Sequence, residues 1–207
     1  MKKRYRIALA ACMTAAALTA CQGKAAEPDA SAAVSEKTDT GASETKEKKQ
    51  GGKESSGVFE SFTAQDLDGN QVDETIFEDA ELTMINVWGT FCTPCLEEMP
   101  DLAELNREYQ EKGVQIIGIC SDTINADKEL DEAQLEKARE LAEQTGADYP
   151  HIAMSGTLVD TLLPQVMAVP MTIFVDSEGT QVGTAYMGAR DKEGWAEILD
   201  EVLSSVQ

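Results

Sequence analysis

"NVWGTFCTPCLEEMP", residues 86–100, sets two cysteines, Cys92 and Cys95, with two residues between them, where a strand pattern gives way to a helix pattern. Upstream, "LTMINVW" (Leu82 to Trp88) is a run of β-favouring residues with only Thr83 and Asn86 polar, which reads as a strand buried on both faces. Downstream, Leu96, Met99, Leu102, Ala103, Leu105 and Tyr109 recur at helical spacing, and Gly113 offers a C-terminal stop. Cys92 thus falls at or just before the helix start and Cys95 one turn in. The first N–H groups of a helix lack partners and carry the positive end of its dipole, so a thiolate at Cys92 is favoured. The thiolate is the nucleophile, which makes Cys92 the attacking sulfur, expected to be open to solvent. Cys95, shielded further along the helix, is the resolving thiol that breaks a mixed disulfide. Pro94 suits the first turn, where its missing N–H matters little, whereas Pro100 is expected to kink the helix.

Cys-x-x-Cys can also hold a metal or close a structural staple, and the rest of the chain weighs against both. The chain begins with the basic "MKKRYR", followed by an apolar run of about twelve residues from Ile7 to Leu18, short of the roughly twenty needed to span a bilayer. This reads as a cleaved export signal over residues 1–20. "LTAC", ending at Cys21, resembles the lipobox of bacterial lipoproteins, in which the cysteine carries the lipid anchor. Of the five cysteines, Cys12 then leaves with the signal and Cys21 is taken by lipid, leaving Cys92, Cys95 and Cys120. Three is the wrong number for a fully paired framework. A structural zinc site needs four ligands, and the single histidine is His151. No metal or other cofactor is expected; a dithiol that opens and closes is.

Around this centre the elements fall into order. "FTAQDLDGNQVD" (residues 62–73) reads as a hairpin turning at "DGN", and "GVQIIGICSD" (residues 113–122) as a second buried strand. A strand follows from Met171 to Val175, then a turn at "DSEG" and a return strand from Gln181 to Tyr186. "GWAEILDEVLSSV" closes the chain as an amphipathic helix through Trp195, Ile198, Leu199, Val202 and Leu203. The insertion over residues 123–168 reads as helical, with Leu130, Gln134, Ala138, Leu141 and Ala142 as a thin apolar stripe. It is expected to cover a sheet face, with a partner-selecting surface as the alternative. The result is one α/β domain with a central mixed sheet.

"NVWGTFCTPCLEEMP" together with the later "AVPMTIFVDSEG" resembles the thioredoxin fold and, within it, the TlpA/ResA-like thiol–disulfide oxidoreductases of the bacterial envelope, over about 150 residues from Val58. The resemblance implies roles by position. Cys92 matches the nucleophile and Cys95 the resolving cysteine of a redox-active disulfide. Trp88 matches the aromatic residue flanking the site. Pro170 matches the cis-proline that lies against the disulfide, and Val169 and Met171 would pair their backbone with a substrate strand. Glu98 matches a glutamate near the thiols that affects their protonation. Asn86 stands where thioredoxins have a buried acid, which leaves Glu98 the candidate for proton transfer. Phe91 replaces the usual tryptophan, and Thr93 an acidic residue of the ResA type. Cys120 reads as a small buried residue, with a third redox thiol as the alternative, and His151 as structural.

Residues 21–56 are rich in Ala, Ser, Glu, Lys, Thr and Gly and cannot bury enough apolar surface to offset ordering entropy, so they read as a flexible linker reaching roughly 30 Å. Residues 57–207 carry 31 Asp and Glu against 7 Lys and Arg, a formal charge of −24, which argues against nucleic acid and anionic lipid surfaces as partners. The expected activity is extracytoplasmic dithiol exchange, lipid-anchored to the outer face of the cytoplasmic membrane and reducing exported clients. The resemblance points to apocytochrome c or a methionine sulfoxide reductase as client and to a membrane thiol donor of the CcdA/DsbD type. A weak oxidant is the runner-up. A thiol peroxidase on the same fold would need Pro at Ile85 and Thr at Gly89, and a non-enzymatic binding lipoprotein would show no exchange at all.

Overall fold

The computed structural model describes Phe59 and residues 61–207. The signal segment, Cys21, the linker and the expected domain start at residue 57 lie outside the described residues. The chain first makes a two-stranded antiparallel hairpin, β1 (Thr63–Gln65) and β2 (Gln71–Asp73). Its turn is tied by the Asp66 carboxylate, which accepts from the backbone N–H of Asp68 and Asn70, while Gly69 supplies the positive φ of +88°. A single 3-10 turn (Glu74–Phe77), capped by Asp73, leads into the main sheet.

That sheet has five strands in the order β5-β4-β3-β6-β7. At its centre lies β3 (Leu82–Trp88), which is buried at every residue. It pairs in parallel with β4 (Val114–Cys120) and antiparallel with β6 (Met171–Asp176), the registers setting Trp88 beside Cys120 and Val87 opposite Met171. Alternation along β3 sends Met84, Asn86 and Trp88 to one face and Ile85 and Val87 to the other. Three helices cover the first face: α1 (Thr93–Tyr109), α2 (Glu132–Thr145) and α4 (Lys192–Val206). The second face carries Phe59, Phe62 and Phe77, whose rings pack at 5.7 to 6.3 Å, together with the short α3 (Leu158–Thr161). β7 (Gln181–Met187) forms one edge, and Gly179, at φ +73°, makes the tight turn before it.

The strands bounding the motif, the DSEG turn and the closing helix stand as expected, and α1 runs through Pro100 without interruption. The insertion is not purely helical. It contains β5 (His151–Ala153), which extends the sheet as a third parallel strand beside β4, and α3 beyond it. The buried stripe of α2 is Leu135, Ala138 and Ala142, with Gln134 and Leu141 half-buried and Leu130 just ahead of the helix. α2 starts where the Asp131 side chain accepts from the N–H groups of Ala133 and Gln134, and it stops at Gly146, φ +69°.

Candidate active site

β3 delivers the chain to the motif. Gly89 to Phe91 turn out of the sheet, and Cys92 caps α1 in extended conformation (φ −95°, ψ 93°), its sulfur accepting from Cys95 N–H at 3.3 Å. Cys92 and Cys95 form a disulfide with an S–S distance of 2.04 Å. The approach loop is held from β4: Asp122 accepts from Thr90 N–H at 2.9 Å and from the Thr90 hydroxyl at 2.5 Å. Phe91 folds its ring over Gly89, where a Cβ would lie 2.8 Å from the ring edge, and is itself 70% exposed.

Solvent access to Cys92 is narrower than expected. In this disulfide-bonded form Cys92 is 5% exposed and Cys95 wholly buried, whereas Thr93 and Pro94 between them are exposed. The order of access, Cys92 outside Cys95, is the expected one. The Val169–Pro170 bond is cis, and Pro170 is buried, its carbonyl accepting from Gly188 N–H at 2.9 Å. The β3–β6 register brings this proline beside Trp88 and the loop that follows it. Trp88, expected to flank the site, has no exposed surface in this form, and its ring meets His151 edge-on at 5.6 Å. Met171 is also buried, at 3% exposure, so of the residues assigned to substrate only Val169 presents surface.

Glu98 is no surface acid. It is 3% exposed on α1, one turn after Cys95, and three donors converge on it. Asn86 Nδ2 donates to Oε1 at 2.9 Å, while Trp195 Nε1 and the Arg190 backbone N–H donate to Oε2 at 3.0 and 3.2 Å. Burial pushes its pKa above the ordinary carboxylate value, and the Trp195, Asn86 and Arg190 contacts oppose that rise. A groove of about 280 Å³, lined by Pro94, Glu97, Glu98, Asp101, Arg190 and Asp191, runs beside it. The site therefore holds a disulfide at a helix N-terminus, a cis-proline loop and a buried carboxyl group able to change protonation.

Cys120 and His151 are both buried. Cys120 is a buried free thiol at the end of β4, which burial and the nearby Asp122 carboxylate keep protonated. His151 stacks on Tyr149 at 4.5 Å, and burial lowers its pKa to about 4, so its ring is neutral. Sequence reading missed Asp122, Trp195, Arg190 and Thr172. Trp195 lies in an apolar stripe that marks only core, and a backbone N–H such as that of Arg190 leaves no mark in composition.

A family model described as the AhpC/TSA family matches residues 57–190. The thiol-disulfide oxidoreductase ResA of Bacillus thuringiensis subsp. konkukian is 30% identical over 142 residues, 68% of this chain and 74% of that protein. ResA of Bacillus anthracis is 31% identical over 158 residues, 76% of this chain and 81% of that one. Among solved structures, a thiol:disulfide interchange protein of the thioredoxin family from Chlorobium tepidum superposes with a TM-score of 0.56 at 20% identity, covering 69% of this chain and 93% of that one. A secreted Mycobacterium tuberculosis disulfide oxidoreductase gives 0.52 at 17% identity, over 68% and 95%. At such identities these structures speak for the fold, and the fold they share is the thioredoxin one.

Proposed function

The chain belongs to the AhpC/TSA family and is a thiol–disulfide oxidoreductase, and from that premise we propose that it works outside the cytoplasm as a reductant of exported proteins, tethered to the membrane through Cys21. One observation carries the chemistry: the Cys92–Cys95 disulfide at the head of α1, with Cys92 as the cap. In the reduced enzyme, Cys92 thiolate attacks one sulfur of a client disulfide. A Cys92–client bond forms and the other client sulfur leaves as thiolate. Cys95 gives its proton to Glu98 and attacks Cys92 Sγ, reforming the internal disulfide and releasing the second client thiolate. Two electrons pass to the client. An apocytochrome c or a methionine sulfoxide reductase suits the client's place, and a membrane dithiol of the CcdA/DsbD type would return the electrons.

The opposite direction has one observation in its favour. The Cys95 N–H aimed at Cys92 Sγ favours the thiolate and hence the reduced form, which makes the couple more oxidising. About 30 mV corresponds to 1.4 kcal/mol for a two-electron couple, so a measured equilibrium with glutathione decides the direction. A potential near those of disulfide-forming oxidants would replace the reductant by the weak oxidant. Roles are checked with Cys92→Ser, which should abolish insulin reduction, and Cys95→Ala, which should accumulate clients as mixed disulfides on Cys92 that mass spectrometry can identify. Adducts on Cys120 instead would refute the assignment, and peroxide consumption at a rate matching thiol exchange would restore the peroxidase.

A further inference from the structure

The Cys92 sulfur gains from α1 only while it is held at the helix end, because the influence of a helix terminus fades within its first turn. The chain that carries Cys92 there is a loop: Gly89 to Phe91 belong to no strand or helix. What fixes the nucleophile therefore has to come from outside the loop.

It comes from the end of β4. Ser121 donates twice to the Trp88 carbonyl, from its N–H and from its hydroxyl, each at 2.8 Å. Asp122 takes the next polar groups along: Oδ1 accepts from Thr90 N–H at 2.9 Å and Oδ2 from the Thr90 hydroxyl at 2.5 Å. Cys92 N–H then donates to the Gly89 carbonyl at 3.0 Å, closing a turn whose two central residues are Thr90 and Phe91. Thr90 is buried and held; Phe91 is the exposed one. Asp122 is braced in its turn. Cys120 Sγ donates to its Oδ1 at 3.3 Å. The Thr123 hydroxyl donates to the Cys120 carbonyl at 3.2 Å and accepts from Met154 N–H at 2.8 Å, which fastens the bend after β4 to the residue that follows β5. Both partners of Asp122, Thr90 and Cys120, are neutral donors, so the carboxylate serves here by the number of hydrogens it accepts.

We propose that Asp122 is a positioning residue for the nucleophile: by fixing Thr90 it fixes the turn, and the turn keeps Cys92 Sγ against the Cys95 N–H that stabilises the thiolate. The proposal deepens the dithiol-exchange reading and rests on it for its consequence in the reaction. The charge of Asp122 works the other way, since a carboxylate in the neighbourhood of a thiolate disfavours it. Position and charge thus have opposite signs, and substitutions separate them.

Asp122→Asn and Asp122→Ala, made in the whole chain, remove the same charge. Asparagine still accepts from Thr90 N–H and donates to the Thr90 hydroxyl, whereas alanine does neither. The difference between the two variants therefore reports position. The rate at which iodoacetamide alkylates the reduced protein, followed across pH with the Cys92 adduct counted by mass spectrometry, gives the midpoint of that thiol. The midpoint in Asp122→Ala should lie above that in Asp122→Asn by about one pH unit, a tenfold loss of thiolate. Equal midpoints, or a lower one in Asp122→Ala, overturn the proposal. A merely structural Asp122 would lower the melting temperature of Asp122→Ala and leave the midpoints together. If Asp122→Ala does not fold, Thr90→Val and Thr90→Ser decide. Valine fills the same volume and loses only the hydroxyl bond, with the charge in place, so its midpoint should exceed that of the serine variant by about half a pH unit, and equality overturns the proposal. The titration involves no client. A chain that separates the midpoints yet reduces no insulin would refute the exchange reading and leave the positioning standing, and the reverse pair of results would refute the positioning alone.

Discussion

At the scale of single residues, the site turns on how one carboxyl group is kept. Glu98 combines near-complete burial, which disfavours charge, with three donors, which favour it, and burial wins, so its folded pKa lies above the unfolded value of 4.5. The sign of the linkage follows. The folded state holds this proton more tightly than the unfolded chain, so the resulting stabilisation is full below pH 4.5 and is lost as pH rises through the raised midpoint. Glu98→Gln removes the titration. The melting temperature of the variant minus that of wild type should therefore climb with pH from about 4.5 upwards and level off above the Glu98 midpoint. A difference that stays flat or declines would mean the carboxylate is welcome where it lies. The same substitution should slow disulfide exchange near neutral pH by about 100-fold, the low end of what a positioned proton acceptor contributes. An unchanged pH–rate profile would remove Glu98 from the reaction.

At the scale of elements, legibility followed burial and period. β3 and α1 were readable to within a residue or so because seven consecutive buried residues and an unbroken helical stripe leave little choice of pattern. β5 was not, since three residues, His151 to Ala153, carry no period and become a strand only because β4 offers an open edge. The α2 stripe was displaced by one residue, onto Leu135, because only its contact with α1 decides which side of a thin stripe faces inward. Glu98 was placed on the right helix, but its partners lie 12 to 97 positions away, and no local pattern brings them together. β5 makes its own prediction. Gly118 in β4 has no side chain where His151 lies: a Cβ would fall 2.2 Å from His151 Nδ1 and 3.1 Å from Trp88 Nε1. Gly118→Ala should push the imidazole outward at a cost of roughly 1–3 kcal/mol. As the chain has one histidine, its ring protons report the displacement directly. The wild-type midpoint of about 4 should move up toward the ordinary histidine value of 6.5 in the variant. A variant that keeps full stability and the low midpoint would show that β5 is not packed as described.

At the scale of the whole molecule, the charge of residues 57–207 is lopsided, and the cations do little to relieve it on the surface. Of the seven Lys and Arg, Arg107, Lys112, Lys128, Arg139 and Lys192 are already paired with carboxylates, and Arg190 lies over the rings of Tyr186 and Trp195. The surplus of acids therefore faces solvent, and some of it borders the site, where Glu97, Asp101 and Asp191 line the groove next to Glu98. A field of that sign leaves the chemistry of two sulfurs alone but changes how often a partner arrives. Fields of this kind alter encounter rates by about 10- to 1,000-fold, and salt removes the effect once the screening length drops from roughly 30 Å at 0.01 M to 3 Å at 1 M. Two disulfide peptides that differ only in the charge of residues distant from the cystine should thus be reduced at different second-order rates. The basic one should be faster by about tenfold or more at 0.01 M salt, and the two should converge at 1 M. Equal rates at low salt would mean that the surplus charge lies too far from the docking face to steer anything, and the acidity would then belong to solubility rather than to the choice of client.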